Sequence, residues 1–166
     1  MSVTMEEAVS AVREMLEDRE VRYSLDNIRE MFYVFSLGFN LSHTKLSSAN
    51  VKISVIPSKK NPEYCHRIVS YATIGIKADE DSIHEVAEFL HRANYGLAFG
   101  NFELDFDDGE IRYKMSLNCV DSLPGEDAIE DVLYLPLSMF ERYGDGILTV
   151  AMGLAEPEAA IKKIEE

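Results

Sequence analysis

The sequence has no tryptophan, only two cysteines and only four histidines among its 166 residues. Cys65 and Cys119 are too few for a disulfide framework and too isolated for a zinc site. Free thiols in a reducing compartment are favoured over a bridge between neighbouring strands. Cys65 and His66 are sequence neighbours, and consecutive strand residues point to opposite faces, so they form no dyad, and no triad suggests itself elsewhere. A phosphate loop is also missing: Gly96 and Gly100 have the glycines but no Lys-Ser/Thr to hold phosphate and magnesium. No apolar run approaches the roughly 18 residues of a membrane helix. The acidic, amphipathic stretch from Met1 to Glu17 has no basic leader or cleavage site, which makes the cytoplasm the expected compartment. Positive charge is scarce too, with 16 basic against 30 acidic residues and a net charge of −14. Such a field repels phosphate backbones and anionic lipid, so neither nucleic acid nor membrane is an expected partner. It favours a client with a basic or extended segment, although acidity that only maintains solubility is the simpler reading.

What is present is a strong pattern of helices and strands. Between Ser82 and Asn118, Ile83, Val86, Ala87, Leu90 and Leu97 recur at helical spacing. Gly96 and Gly100, free to take positive φ, end that helix. Phe102, Leu104 and Phe106 then alternate with Glu103 and Asp105, Asp107-Asp108-Gly109 supplies a turn, and Ile111, Tyr113, Met115 and Leu117 alternate back. Upstream, Thr4 caps a first helix that ends near Arg19, with Glu6 and Glu7 at its positive end. Val21, Tyr23 and Leu25 suffice for a short edge strand before a turn at Asp26-Asn27. Met31 to Phe39 reads as a strand covered on both faces. Val51, Ile53 and Val55 mark the next strand, and Ile68 to Lys77 another, with the basic loop from Pro57 to Pro62 between them. A long apolar helix from about Asp127 to Met152 contains Pro136, expected to kink it, and Gly144-Asp145-Gly146, which could break it.

These elements predict an α+β domain: an antiparallel sheet of about five strands with helices packed on one face, in the order α-β-β-β-α-β-β-α. A single domain spans residues 1–166, with a short helical tail over 156–166 that starts at Pro157.

Several motifs suggest chemistry that they do not carry. His84 and His91 flank Glu88 on one helix, but the zinc-protease pattern needs a second histidine four residues after the first, where Glu88 stands. The run Asp105, Asp107, Asp108 and Glu110 lacks the spacing of a calcium loop. Asn94 falls on the apolar helix face, so its amide needs partners at the helix end or hairpin. Arg92 and Arg112 are placed to pair with Glu103, Asp105 or Glu110. No catalytic residue, cofactor-binding residue or metal ligand is assigned.

The segments His91-Arg92-Ala93-Asn94-Tyr95-Gly96-Leu97 and Gly100-Asn101-Phe102-Glu103-Leu104-Asp105 resemble the YbjN family, as do Asp108, Gly109, Arg112 and Tyr113. The close match covers roughly Ile83 to Leu117, with looser agreement at Glu141-Arg142-Tyr143 and Pro157. The resemblance implies a type III secretion chaperone-like fold that commonly dimerises, and members described as sensory or regulatory factors. The expected function is a non-enzymatic, chaperone-like or regulatory homodimer that docks a protein segment on an exposed sheet face or edge. Phe35, Tyr71, Asn101, Arg112 and Tyr113 are the candidate protein-binding residues. The alternative is a small-molecule sensor or cryptic enzyme that uses a cleft between the central helix and the hairpin.

Overall fold

The structure, a computed structural model, describes residues 2–166. Helix α1 (Met5–Asp18) opens with a capping box: the Glu7 amide donates to the Thr4 hydroxyl, and the Glu7 carboxylate accepts from the Thr4 amide. Strands β1 (Ser24–Ile28), β2 (Phe32–Asn40), β3 (Ser48–Pro57) and β4 (Cys65–Lys77) follow as successive hairpins. Helix α2 (Ile83–Tyr95) leads to the hairpin β5 (Asn101–Leu104) and β6 (Glu110–Asn118). Helices α3 (Glu126–Ala151) and α4 (Pro157–Glu165) complete the chain.

All pairings are antiparallel, in the order β1-β2-β3-β4-β6-β5. The sheet therefore has six strands rather than about five, because the short alternation near Leu25 is a full edge strand. Its turn is also displaced from Asp26-Asn27, which pair with Val34 and Tyr33, to Arg29-Glu30. Both residues take positive φ (53° and 56°) within the three-residue connection Arg29-Glu30-Met31, which the Met31 amide closes by donating to the Ile28 carbonyl at 2.9 Å. Neither is a residue type that advertises that conformation, so the sequence pattern misplaces the turn.

The helices form one layer on one sheet face. Phe35, Leu37, Val51, Ile53, Val55, Ile68, Ala72, Ile111 and Tyr113 point into it, against Val12, Leu16, Val86, Phe89, Leu133 and Phe140. At about 25 cal/mol per Å² of buried apolar surface, this core is the main source of stability. Strand β2 is covered on one face only: Phe35 is fully buried, while Phe32, Val34 and Ser36 on the other side remain half-buried.

Helix α3 runs unbroken for 26 residues through Pro136, Gly144 and Gly146. The two glycines are sites of close approach, not breaks. A Cβ on Gly144 would lie 2.6 Å from the Thr44 hydroxyl, and one on Gly146 would lie 2.6 Å from the Phe89 ring. The same helix ties down the β2–β3 connection. Glu141 accepts from the Ser42 and His43 amides (2.7 and 2.6 Å), and Asp145 accepts from the Thr44 hydroxyl and the Lys45 amide (2.8 and 2.6 Å). No helix is long and apolar enough to cross a membrane among the described residues.

Candidate docking face on the open side of the sheet

Among the described residues the face opposite the helices has no covering layer, and its occupants follow from the strand register. One row across it reads Asp26, Val34, Ser54, Val69, Ser116. The next reads Ser24, Ser36, Lys52, Tyr71, Lys114, Asn101, and a third reads Gly38, Asn50, Thr73, Arg112, Glu103. Val34, Val69 and Tyr71 thus make an apolar centre, and Lys52, Arg67, Arg112 and Lys114 are cations around it. Val69 is only 5% exposed although no helix lies above it, so its neighbours on the face shelter it.

Tyr71 is the focus of this surface. The Arg112 guanidinium lies over its ring, 4.5 Å from the centroid, while Lys52 and Lys114 flank it on the adjacent strands. Such a cation–π contact contributes about 0.5–1 kcal/mol at an exposed site. Arg112 is held there by Glu103, whose Oε2 accepts from its Nε at 2.6 Å, and Lys114 bonds the other oxygen of the same carboxylate. Burial pushes the Glu103 carboxyl up, but the hydrogen bonds from Lys114 and Arg112 outweigh it and hold the group below its ordinary value. The pairing of Arg112 across the hairpin is as the sequence implies. Arg92 pairs instead along its own helix, with Glu88 at 2.7 Å.

Of the five candidate binding residues, the structure brings Tyr71, Asn101 and Arg112 together on this face, all partly exposed. Phe35 and Tyr113 lie elsewhere. Both are fully buried on the helix-covered face, so they cannot meet a docked segment. The reason is parity: Phe35 shares its side of β2 with Leu37, and Tyr113 shares its side of β6 with Ile111. Tyr113 is a structural residue. Its hydroxyl donates to the Phe99 carbonyl, its ring meets Phe102 edge-on, and burial, with the nearby Tyr143 adding to it, pushes its pKa up to about 12. The cations Lys52, Arg67 and Lys114 were not singled out by sequence reasoning. For Lys52 and Arg67 the signal was an uneven charge distribution: between Met31 and Ala78 the chain has one acidic residue, Glu63.

The region between α2 and the hairpin is closed by contacts. The Asn94 side chain donates to the Phe102 carbonyl at 3.0 Å and accepts from the Phe102 amide at 2.7 Å, as a neighbouring strand would. The outer edge of β5 is thereby blocked at Phe102. A shallow hollow on the hairpin itself is lined by Glu103, Asp105, Phe106 and Arg112.

Elsewhere, His84, Glu88 and His91 are exposed, and Glu88 is engaged by Arg92. No three metal-capable side chains converge among the described residues. Cys65 and Cys119 are buried free thiols. The Cys65 thiol donates to the Arg67 carbonyl at 3.6 Å, and interaction between the two sulfurs pushes Cys65 up and Cys119 down.

No curated protein matches the chain. The family profile of YbjN, described as "Putative bacterial sensory transduction regulator", matches residues 8–149. With most of its length covered by that match and the matching hairpin built as above, the chain belongs to the YbjN family.

Proposed function

We propose that this protein is a regulatory interaction domain without catalytic chemistry of its own, which captures an extended segment of another protein on the open face of its sheet. The observation that carries the reading is the uncovered six-stranded face, with Val34, Val69 and Tyr71 at its centre and charged side chains around them. An apolar centre inside a polar rim is the anatomy of a protein-docking surface. The description of the family as a sensory transduction regulator supports a binding role over a catalytic one. A homodimer fits the same reading. The outer edge of β1 has no neighbouring strand among the described residues, and pairing two such edges would extend the sheet while leaving the face free.

The test is site-specific photocrosslinking in the native cell. Benzoylphenylalanine in place of Tyr71 or Val34 should trap one discrete protein, and the same probe in place of Ser138, exposed on α3, should not. Equal trapping from both layers, or none from the sheet, would overturn the docking face. Light scattering reads the dimer separately, since a monomer at every concentration removes that part of the proposal.

A further inference from the structure

The charge of this chain is segregated between its two layers. Helix α1 carries five carboxylates and one arginine, and α3 carries six carboxylates and one arginine. Strands β2, β3 and β4 carry no carboxylate at all, while β3 and β4 supply Lys52, Arg67 and Lys77. The helix layer thus accounts for much of the net charge of −14, and the middle of the open face is cationic. Lys52 and Arg67 pair with no carboxylate among the described residues; Arg67 reaches only the Ser116 hydroxyl, at 3.4 Å. Beyond Arg67, the end of the β3–β4 hairpin adds Lys59 and Lys60 against a single carboxylate, Glu63, and the two lysines line a shallow hollow with Ile56, Tyr64 and His66.

We propose that the open face takes an acidic, extended segment of a partner protein, whose carboxylates meet Lys52 and Arg67, with Lys114, already shared with Glu103, as a third cation, while its apolar residues cover Val34 and Tyr71. This rests on the docking reading above and gives its occupant a chemistry opposite to the one that net charge alone suggests. Local charge decides it. With a screening length of about 8–10 Å near physiological salt, a segment on the sheet is governed by the cations beside it, not by the carboxylates behind the helix layer. Spacing points the same way. Lys52 and Lys114 lie two strands apart, about 9–10 Å by the strand repeat. Three residues of polyproline-type chain, at about 3.1 Å each, span that distance and return a side chain to the same side. Carboxylates three residues apart therefore suit this pair.

A nucleic acid fits less well. Single-strand platforms stack bases on free aromatic faces, whereas one face of the Tyr71 ring is already taken by Arg112. A long polyanion also extends beyond the sheet into the field of the helix layer.

The experiment uses the full chain, isotope-labelled, with two probe peptides: repeating Glu-Val-Pro and repeating Lys-Val-Pro. The Glu peptide should shift the amides of β3, β4 and β6, and its affinity should fall with added salt. Joint Lys52→Glu and Arg67→Glu replacement should weaken it at least tenfold, and the milder Lys52→Gln with Arg67→Gln should give an intermediate loss in a protein of unchanged circular dichroism. Equal or tighter binding of the Lys peptide on the same amides would overturn the acidic occupant and leave the docking face standing. Oligo(dT) shifting those amides more strongly than the Glu peptide would overturn it in favour of nucleic acid. Shifts that grow with protein concentration alone, together with a doubled mass, would replace the partner with a second copy. A face that answers to no peptide, in a protein whose Tyr71 photocrosslink also fails, would overturn both readings together.

Discussion

Replacing Asn94 with Ala should destabilise this protein by about 2–3 kcal/mol, a large effect for a partly exposed residue. The Asn94 side chain occupies both outward groups of Phe102, whose side chain sits in the core. The two losses are unequal. The Phe102 carbonyl keeps a second donor, the Asn101 side-chain Nδ2 at 3.3 Å, whereas the Phe102 N–H loses its acceptor at 2.7 Å. A net hydrogen bond contributes roughly 1 kcal/mol, and a buried donor left unpaired costs about 1–3 kcal/mol. The better helix propensity of Ala returns at most about 0.7 kcal/mol. Urea unfolding followed by circular dichroism should show a lower midpoint at unchanged slope. In a domain of this size the melting temperature should fall by roughly 4–12 °C. Asn94→Asp keeps the acceptor and should fall between parent and Asn94→Ala, and exchange of the Phe102 amide should accelerate only in Asn94→Ala. Stability of Asn94→Ala within about 0.5 kcal/mol of the parent, the range of an ordinary surface change, would refute the argument that this side chain stands in for a strand.

Two further outcomes follow from local geometry. Gly109→Ala should destabilise strongly, because φ is +75° and the new Cβ would sit 1.9 Å from the Ala78 carbonyl oxygen; Gly96→Ala, at φ −96° with open space around it, should be neutral or slightly stabilising by urea midpoint. Asp145 is held below its ordinary value of 3.8 chiefly by the Lys45 amide, so its tie to the β2–β3 connection is complete above that value and is lost as pH falls through its folded pKa. Exchange of the Lys45 amide, corrected for its intrinsic pH dependence, should rise at acid pH in the parent. In Asp145→Asn it should not change with pH over that range.

Much of the fold was legible because periodicity carries it. The stripe from Ile83 to Leu97 and the alternation from Phe102 to Leu117 place α2, β5 and β6 within a few residues. Thr4 and Glu7 mark the start of α1 through bonds that span three residues. The partners of Asn94 could be anticipated for the same reason, since its helix and hairpin are adjacent in sequence. The misread elements are those whose cause is distant. Gly144 and Gly146 looked like helix breaks because the side chains that crowd them, from Leu46, Phe89 and Ile164, lie far along the chain. The Arg29-Glu30 turn was missed because pairing of β1 with β2 imposes its backbone, not residue preference.

The candidate site divides in the same way. Residue type and alternation alone determined that a sheet with an uncovered face exists, and the acid-free span from Met31 to Pro62 was written in the chain from the start. Which residues occupy that face was decided only by the tertiary structure. Side-chain period in a strand is two, so one step of register separates Tyr71, which is open to a partner, from Ala72, which is sealed against the helices. The same parity sent Phe35 and Tyr113 into the core. It also gathered Lys52, Arg67, Arg112 and Lys114, scattered over more than sixty positions, into one cationic surface on an acidic protein.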